Sequence, residues 1–570
     1  MNNHNEISSF IWNVCDDVLR GLFKQHEYGD VILPFLVLRR LDCVLDGKKE
    51  DIIKIHQEYK DKFEDTSKII NSKLNLKFSN YSRYDLNRLK QEPNKLSENF
   101  YDYLSSFSTN VQDIIQNFGL QKHIDKLDSN DKLYILVEKF TEVNLHPDVV
   151  DNHTMGQVFE ELLRKFSEMS NETSGEHYTP RDVVRLLVSL IFSQDTEKLS
   201  QPNKILSIYD PCCGTGGMLT IGKEWLQKNI KENIDVNLFG QELNPQTYSI
   251  CKSDFLITDE QPENIKLGST LTNDQYSDGS RKFDYMITNP PFGVSWKSEQ
   301  KKIINESNED NGRFSVGTPR VSDGSLLFLQ HMISKMETQG SRIGVVFNGS
   351  PLFTGDSGSG ESEIRKWIIE NDWLECVVSL PDQLFFNTGI STYIWIVSNK
   401  KNKTRKGKVQ LIDGSSFHKS MKKSLGSKRK FIDDEQREDL LKLYTDFKEG
   451  EFSKIFNNEF FGYTKVTIEQ PTLKNGKVVK DKNGKPKPDS KLRDNERIPL
   501  SEDIKDYFDR EVKPHLPNSW IDFDKSKVGY EINFTKYFYN YKPLRGLTEI
   551  TQDLLELEKE SELLLNQIID

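Results

Sequence analysis

The tetrapeptide Asn289-Pro290-Pro291-Phe292 brings together a carboxamide, free carbonyl groups and an aromatic ring. It follows the apolar run 283–288, which is typical of a buried strand in a parallel sheet. Two consecutive prolines lack backbone N–H groups, so the strand must end there. In open α/β sheets, ligands bind at the carboxyl ends of the strands. The tetrapeptide is therefore a candidate binding site, although a strand that simply ends in a Pro-Pro turn fits the same residues.

A glycine-rich loop follows an earlier predicted strand at 205–209. Asp210 begins the loop, and Gly214-Thr215-Gly216-Gly217 continues it. Glycines allow a tight turn into a helix and let a ligand approach the backbone closely. Dinucleotide-binding loops have a third glycine where this chain has Leu219, and the chain contains no Gly-Lys-Ser/Thr sequence of a Walker loop. The loop predicts a ligand without identifying it, and a loop that binds nothing stays an alternative.

Two further strand ends carry polar groups. The strand 236–240 leads to Glu242, whose carboxylate could accept hydrogen bonds from the hydroxyls of a ribose. A third strand end, at 265–271, contains Ser269 and could flank an adenine ring. Together with Asn289, these segments place polar or glycine-rich groups at four successive strand ends. Such a succession is typical of a pocket and rare in a plain core.

A hexapeptide ahead of the glycine-rich loop combines several reactive groups: Glu176, His177, Tyr178, Thr179, Pro180 and Arg181. Thr179 is a favourable N-cap and Pro180 suits the first helical position, which predicts a helix over 181–192. A plain capped helix without a ligand is the alternative interpretation.

The elements that must position these groups alternate between strands and helices. Beyond the tetrapeptide, strands are predicted at Arg342–Phe347, Leu374–Leu380 and Tyr393–Ser398, and helices at Leu326–Met336 and Glu363–Asn371. This alternation predicts an α/β fold with a doubly wound, Rossmann-like sheet, which these three strands complete. The segment 295–323 is interpreted as a long polar loop of the kind that contacts substrates or moves.

A chain of 570 residues is too long to fold around a single hydrophobic core, so two or three domains are predicted. Residues 1–150 show helical periodicity without a strand pattern, 151–430 contain the predicted sheet, and 431–570 form a mixed, partly helical region. Within that last region, 471–493 is predicted to be an exposed insertion and 544–570 a helix. This helix has a coiled-coil seam that packs on its own domain or on a partner: Leu547, Ile550, Leu554, Leu557, Leu564 and Ile568.

Composition limits the classes of protein and partner. The chain has 77 basic and 88 acidic residues, a net charge of −11, which argues against polyanion binding by the whole surface. A nucleic acid would need a local basic patch, such as the clusters 400–406 and 419–430, or another subunit; for any single lysine a solvated face is the alternative. We predict a cytoplasmic location because no apolar run is long enough for a membrane span and the start lacks a signal-peptide pattern. The six cysteines lack metal-ligand spacing and are expected to be reduced thiols.

Three motifs together resemble those of the amino-methyltransferases of DNA: Asp210-Pro211-x-x-Gly214-Thr215-Gly216-Gly217, Asn289-Pro290-Pro291-Phe292 and Glu176-His177-Tyr178-Thr179-Pro180. More narrowly, the chain resembles the modification (M) subunit of type I restriction–modification enzymes. This resemblance covers nearly the whole chain, including segments at 20–23, 36–42, 323–331 and 534–539. It implies a class I methyltransferase sheet, with S-adenosylmethionine as methyl donor and N6 of adenine in DNA as acceptor.

The resemblance also assigns roles to residues. Asn289, Pro290, Pro291 and Phe292 would be catalytic: the Asn289 side-chain oxygen and the Pro290 carbonyl would each accept one N–H of the adenine amino group, and Phe292 would stack on a base flipped out of the duplex. Ser269 lies where many relatives carry Asp. No metal ligand is expected for methylation. The implied donor-binding residues are Glu176, His177, Tyr178, Thr179, Pro180, Arg181, Asp210, Gly214, Thr215, Gly216, Gly217, Glu242 and Ser269.

Partners follow from the same resemblance. We expect double-stranded DNA, a specificity (S) subunit shared by two M subunits and held through helices, and a restriction (R) subunit, but no membrane. Sequence recognition would belong to the S subunit, since this chain lacks an obvious target-recognition domain. Two alternatives stay open: methylation of another amino group (cytosine N4, a glutamine side chain or RNA), and a catalytically silent scaffold that binds the donor or DNA.

Overall fold

The computed structural model of this chain describes residues 4–170, 179–201, 204–231, 234–258, 260–277, 281–386, 388–474, 477–539 and 546–569. Two compact units are distinguished, Met1–Ile532 and Asn533–Asp570. Within the described ranges, no helix combines the length and the apolar character that a membrane span requires.

The amino-terminal region is helical, as predicted. Its central helix is buried along nearly its whole length, and the surrounding core extends to Ile250 and Leu256 of the next region. Asp113 fixes the two regions together, because its carboxylate accepts from Tyr248 Oη at 2.8 Å and pairs with Lys252 Nζ at 2.6 Å. The helices are α1 His4–Val14, α2 Tyr28–Leu45, α3 Lys49–Tyr59, α4 Ser67–Leu74, α5 Leu86–Leu89, α6 Leu96–Ser105, α7 Thr109–Phe118, α8 Gln121–Asp128, α9 Leu133–Thr141 and α10 Asn152–Ser170.

A nine-stranded sheet forms the centre of the following region, in the order β11-β8-β6-β7-β5-β4-β1-β2-β3. Neighbouring strands are parallel except that β7 is antiparallel to β5 and β6, and β11 is antiparallel to β8. The strands are β1 Ile205–Asp210, β2 Asp235–Glu242, β3 Ile265–Leu267, β4 Tyr285–Thr288, β5 Arg342–Asn348, β6 Leu374–Ser379, β7 Thr392–Ser398, β8 Lys408–Asp413 and β11 Ser453–Asn457.

Helices connect these strands and confirm the predicted α/β alternation. The predicted helices at 326–336 and 363–371 correspond to α16 and α18, shifted by a few residues at their ends. The helices are α11 Arg181–Ser193, α12 Thr196–Leu199, α13 Gly217–Asn229, α14 Pro245–Ile257, α15 Gln300–Ser307, α16 Ser325–Ser334, α17 Ser350–Phe353, α18 Gly360–Glu370 and α19 Asp434–Asp446.

Two sequence-based expectations about this region were wrong. The strand at 392–398 does not complete the sheet, since β8 pairs with β6 and β11 pairs with β8 beyond it. The sheet thus continues past residue 430, the predicted end of the catalytic domain. The segment 295–323 is also more than a loop, because it contains α15, whose Ile303 is fully buried. The polar residues of α15, among them Lys301, Lys302 and Asn305, lie on the exposed side of the helix.

The rest of the chain is mixed, as predicted. An antiparallel sheet in the order β15-β12-β16 follows the large sheet. The insertion at 471–493 is an exposed segment that contains the short β13–β14 hairpin. In the second unit, α22 exposes Leu547, Leu554 and Leu557. The elements are β9 Lys419–Leu425, β10 Lys428–Phe431, β12 Gly462–Glu469, β13 Leu473–Lys474, β14 Lys477–Val478, β15 Asp494–Pro499, β16 Trp520–Tyr530, α20 Ile504–Tyr507, α21 Phe534–Phe538 and α22 Leu547–Ile569.

Candidate active site

Asn289 directly follows β4, at the edge where β1 and β4 end side by side. Its Nδ2 donates to Thr179 Oγ1 at 2.9 Å, which orients the carboxamide. Its Oδ1 is buried and receives no hydrogen bond from any residue that the structure describes. Leaving a buried acceptor without a donor costs about 1–3 kcal/mol, and a donor from a bound ligand would remove that cost. The side chain thus holds an acceptor ready for an N–H group of a ligand.

Thr179 does not have the capping role that the sequence predicted. Helix α11 begins at Arg181, and the preceding Pro180 has extended backbone and gives no side-chain cap. The Thr179 hydroxyl instead accepts from Asn289 and lies 3.8 Å from Met218 Sδ. A serine or threonine oxygen can cap a helix only if it faces the first N–H groups, and here it faces the end of β4. The Thr179 hydroxyl therefore belongs to the site.

Asp210 joins the end of β1 to the residue before Asn289. Its Oδ1 accepts from Thr288 Oγ1 at 2.7 Å and from the Cys212 backbone N–H at 3.0 Å. Burial raises the pKa of Asp210 to about 7, partly offset by these hydrogen bonds, which lower it. The Cys212 thiol lies 2.8 Å from Thr288 Oγ1 and donates to it, since the hydroxyl hydrogen is directed to Asp210. Asp210 therefore fixes the glycine-rich loop against the tetrapeptide.

The glycine-rich loop requires glycine at two positions for reasons of backbone and space. Gly214 and Gly216 have φ values of +55° and +83°, a region that favours glycine. A Cβ on Gly216 would lie 2.8 Å from Cys251 Sγ, so the loop packs directly on α14. Helix α13 then begins at Gly217. The close packing leaves the opposite side of the loop backbone open to a cavity.

Glu242, at the end of β2, is held by backbone groups from two segments. Its Oε2 accepts from the Gly214 N–H at 2.9 Å, and its Oε1 accepts from the Asn244 N–H at 2.7 Å. These two backbone hydrogen bonds fix the orientation of the carboxylate at the end of the strand. The structure thus joins Glu242 to the glycine-rich loop, as the succession of strand ends predicts.

Two cavities lie at this edge of the sheet and share Cys212 in their linings. The wider one has a volume of about 720 Å³, within the usual range for small-molecule sites. Its lining includes Glu242, Leu243, Ser269, Pro291, Trp296 and Glu299. The narrower one has a volume of about 30 Å³ and is lined by groups that include Thr179, Asp210, Gly214, Thr215, Gly217 and Asn289. The predicted donor-binding and catalytic residues therefore line adjoining spaces.

Phe292 is half-buried and is supported by a residue that the sequence reasoning missed. Its ring packs edge-to-face on Phe385, with centroids 6.3 Å apart and planes at 75°. Phe385 is buried and follows β6, in the segment before β7. This contact fixes the orientation of the Phe292 ring. The two residues are far apart in sequence, so no local pattern could have indicated the contact.

Glu299 is a second candidate that the sequence reasoning missed. It lines the wider cavity with Glu242 and Ser269. Ser269 Oγ donates to Glu299 Oε1, and Thr272 Oγ1 donates to the same oxygen at 2.7 Å. Where the resemblance expects an acidic residue at position 269, this chain has a serine that holds a carboxylate from another segment. The only sequence signal was a glutamate in the polar segment 295–323.

The hexapeptide is described only in part. Glu176, His177 and Tyr178 lie outside the described residues, so their predicted roles stay predictions. Arg181 forms an ion pair with Glu160 of α10, Nε to Oε2 at 3.1 Å, and both side chains line the narrower cavity. Arg181 therefore links the helical region to the site. Among the described residues, no group of three or more His, Cys, Asp or Glu side chains is arranged to hold a metal ion.

Comparison with known proteins identifies the family of this chain. The profile of the N-6 DNA Methylase family matches residues 150–467, and that of the HsdM N-terminal domain matches residues 7–140. The chain is 25% identical to the type I restriction enzyme MjaIX methylase subunit of Methanocaldococcus jannaschii, over 83% of each chain. It is 32% identical to the HindI methylase subunit of Haemophilus influenzae, over 45% of this chain and 54% of that one.

Solved structures show the same fold. The type I methyltransferase subunit from Streptococcus thermophilus matches with a TM-score of 0.62 at 21% identity, over 80% of this chain and 97% of that one. A chain from a type I restriction–modification complex matches with a TM-score of 0.53 at 20% identity, over 100% of this chain and 98% of that one. A family profile that spans more than half of the residues, including the glycine-rich loop and the tetrapeptide, decides the assignment. The chain therefore belongs to the N-6 DNA methylase family and carries the HsdM N-terminal domain ahead of its catalytic region.

Proposed function

We propose that this chain is the modification subunit of a type I restriction–modification enzyme. It transfers a methyl group from S-adenosylmethionine to N6 of adenine in double-stranded DNA, at a site chosen by a separate specificity subunit. The observation that carries the proposal is the oriented Asn289 carboxamide, whose buried Oδ1 lacks a donor among the described residues. An amino group of a base supplies the N–H that this oxygen lacks.

The residues present fit S-adenosylmethionine. The glycine-rich loop offers Gly214, Thr215 and Gly217 to the narrower cavity, while Gly216 packs closely on Cys251 behind it. Glu242 offers a fixed carboxylate for the ribose hydroxyls, and the strands that carry the loop, Glu242 and Ser269 are neighbours in the sheet. When bound, the donor supplies an electrophilic methyl group. Thr179, Pro180, Arg181, Asp210, Gly214, Thr215, Gly217 and Ser269 complete the proposed binding set, with Glu176, His177 and Tyr178 assigned by resemblance.

The tetrapeptide would activate the acceptor. The lone pair of an exocyclic amino group is delocalised into the ring, which makes the nitrogen a poor nucleophile. Asn289 Oδ1 and the Pro290 carbonyl each accept one N–H, and this pair of hydrogen bonds localises the lone pair and directs it. The stabilisation is positional and electrostatic, without a covalent intermediate. Phe292, held by Phe385, offers a ring face to a base that has left the duplex.

The net charge of the chain and its last helix bear on the proposed partners. The chain has a net charge of −11, so DNA binding requires a local surface or another subunit. Helix α22 exposes leucines spaced as a coiled-coil seam, and exposed apolar stripes of this kind pair with helices. We assign that seam to the specificity subunit, with two modification subunits per specificity subunit and a restriction subunit in the full complex. The proposed location is the cytoplasm.

Transfer of labelled methyl groups to unmethylated DNA tests the proposal. We expect label on N6-methyladenine when the specificity subunit from the same source is present, and little or none without it. Nucleoside analysis of the product DNA identifies the methylated atom. Label on cytosine N4 would contradict the adenine assignment, and no label under either condition would contradict the proposed function.

Glu299 gives a prediction about the donor. Its carboxylate is held by Ser269 and Thr272 in the lining of the wider cavity, and we propose that it accepts a hydrogen bond from the amino group of the donor's adenine. Hydrogen bonds to charged groups contribute about 1.5–3 kcal/mol. We therefore expect Glu299→Ala to weaken binding of S-adenosylhomocysteine by about tenfold or more. The affinity for S-inosylhomocysteine, which lacks this amino group, should not fall.

Calorimetric titration of both compounds measures this difference. Glu309→Ala is a matched control, since Glu309 is an exposed glutamate of the same segment. An equal loss of affinity for both compounds in Glu299→Ala would assign Glu299 a structural role only.

A further inference from the structure

The β9–β10 hairpin, residues 419–431, is a basic segment of an otherwise acidic chain. It has six basic residues and no acidic one, whereas the whole chain has a net charge of −11. A concentration of one charge sign on a single hairpin creates a local potential opposite to that of the molecule as a whole. The basic residues are Lys419, Lys422, Lys423, Lys428, Arg429 and Lys430.

Three of these six residues are neutralised by carboxylates. Lys419 pairs with Asp433, Lys428 with Asp182 at 3.0 Å, and Lys430 with Asp382 at 2.5 Å. The other three, Lys422, Lys423 and Arg429, are exposed and form no ion pair with any described residue. The hairpin thus separates into cations that attach it to the protein and cations that face solvent.

Backbone hydrogen bonds place the hairpin beside the segment that supports Phe292. The N–H of Ser427 donates to the Phe386 carbonyl at 2.6 Å, and the N–H of Arg429 donates to the Gln383 carbonyl at 2.9 Å. Phe385, between those two acceptors, packs on the ring of Phe292. The turn of the hairpin and β10 therefore lie at the rim of the proposed target-base site.

Lys428 anchors this position. It is buried, its Nζ donates to the Leu384 carbonyl at 2.9 Å, and it pairs with Asp182 in the first turn of α11. The Ile432 N–H donates to the same Asp182 carboxylate at 3.0 Å. Helix α11 begins two residues after Thr179, the residue that orients Asn289. The hairpin is consequently fixed to both elements that hold the tetrapeptide in place.

We propose that Lys422, Lys423 and Arg429 bind the phosphates that flank the flipped nucleotide. This inference rests on the proposed function and names the surface through which an acidic chain holds DNA next to its catalytic residues. A base in the site stays attached to its sugar–phosphate backbone, which then lies at the rim. Cations at the rim would stabilise the negative charges of those phosphates. Contacts to phosphate position the duplex without reading its sequence. The hairpin would thus serve every target site that the specificity subunit selects.

The salt dependence of DNA binding tests this inference. Each phosphate neutralised contributes about −0.9 to the slope of log K against log salt concentration. For the chain assembled with the specificity subunit, we expect the triple variant Lys422→Ala, Lys423→Ala, Arg429→Ala to reduce the magnitude of that slope by about 2–3. The KM for DNA should rise, whereas kcat at saturating DNA and donor affinity should stay as in the wild type.

A second triple variant controls for the change in total charge. Lys480, Lys482 and Lys485 are exposed residues of the 471–493 insertion. Their replacement by alanine also removes three positive charges, so the total charge changes as in the hairpin variant. We expect the slope of log K against log salt concentration for this variant to differ from the wild-type slope by less than about 1. An unchanged slope in the hairpin variant, or equal losses in both variants, would overturn the inference. A wild-type assembly that transfers no methyl group would instead contradict the proposed function, and the difference between the two slopes would still decide the role of the hairpin.

Discussion

Asn289→Ala should lower the rate of methyl transfer by about 10²- to 10³-fold and leave donor affinity nearly unchanged. The substitution removes the buried Oδ1, the acceptor that aligns the amino group for attack. It leaves the glycine-rich loop and Glu242 intact, since neither hydrogen-bonds to the Asn289 side chain. Single-turnover transfer and calorimetric titration with S-adenosylhomocysteine measure the two quantities separately.

Two further variants refine this result. Asn289→Asp keeps an acceptor at the same position and should retain more activity than Asn289→Ala. Phe292→Ala should abolish transfer while donor binding survives, a larger effect than that of Asn289→Ala, because the Phe292 ring, held by Phe385, stacks on the target base and does not contact the donor. Loss of donor binding in both alanine variants would show that the tetrapeptide binds the donor and does not hold the acceptor.

Glu375→Ala should destabilise the protein by about 3–5 kcal/mol. Glu375 is fully buried on β6 and pairs with Arg342 of β5 and, at 3.4 Å, with Arg405. Tyr444 Oη also donates to its Oε1 at 2.7 Å. Both guanidinium groups are themselves buried; Arg342 keeps a second carboxylate, that of Asp195 at 3.4 Å, whereas removing Glu375 leaves Arg405 without a counter-charge among the described residues. Breaking a buried pair in this way costs far more than breaking an exposed one.

Urea denaturation of the full chain, followed by circular dichroism, measures this effect. Asp509→Ala is the matched control, because Asp509 pairs with Lys513 at 2.7 Å on the surface. We expect its effect to be about 0.5 kcal/mol or less. A loss of stability in Glu375→Ala no greater than in Asp509→Ala would contradict the account of a shared buried counter-charge.

Much of the fold could be predicted because its signals are local. Apolar runs that end in glycine, proline or an acidic residue marked the strands, and their alternation with helices indicated the α/β sheet. The direction of β7 and the addition of β8 and β11 could not be predicted, because strand pairing depends on where the connecting segments pack. A one-dimensional pattern carries no information about which edge of the sheet a later strand joins.

For the site, the sequence by itself determined the chemical groups and their order along the strand ends: the loop at 214–217, Glu242, Ser269 and Asn289. Only the tertiary structure decided how they are oriented. Thr179 holds Asn289 where a helix cap was expected, and Glu299 reaches the cavity through Ser269. The reason is physical: motifs record which groups a backbone segment can present, whereas side-chain orientation depends on packing between segments far apart in the chain.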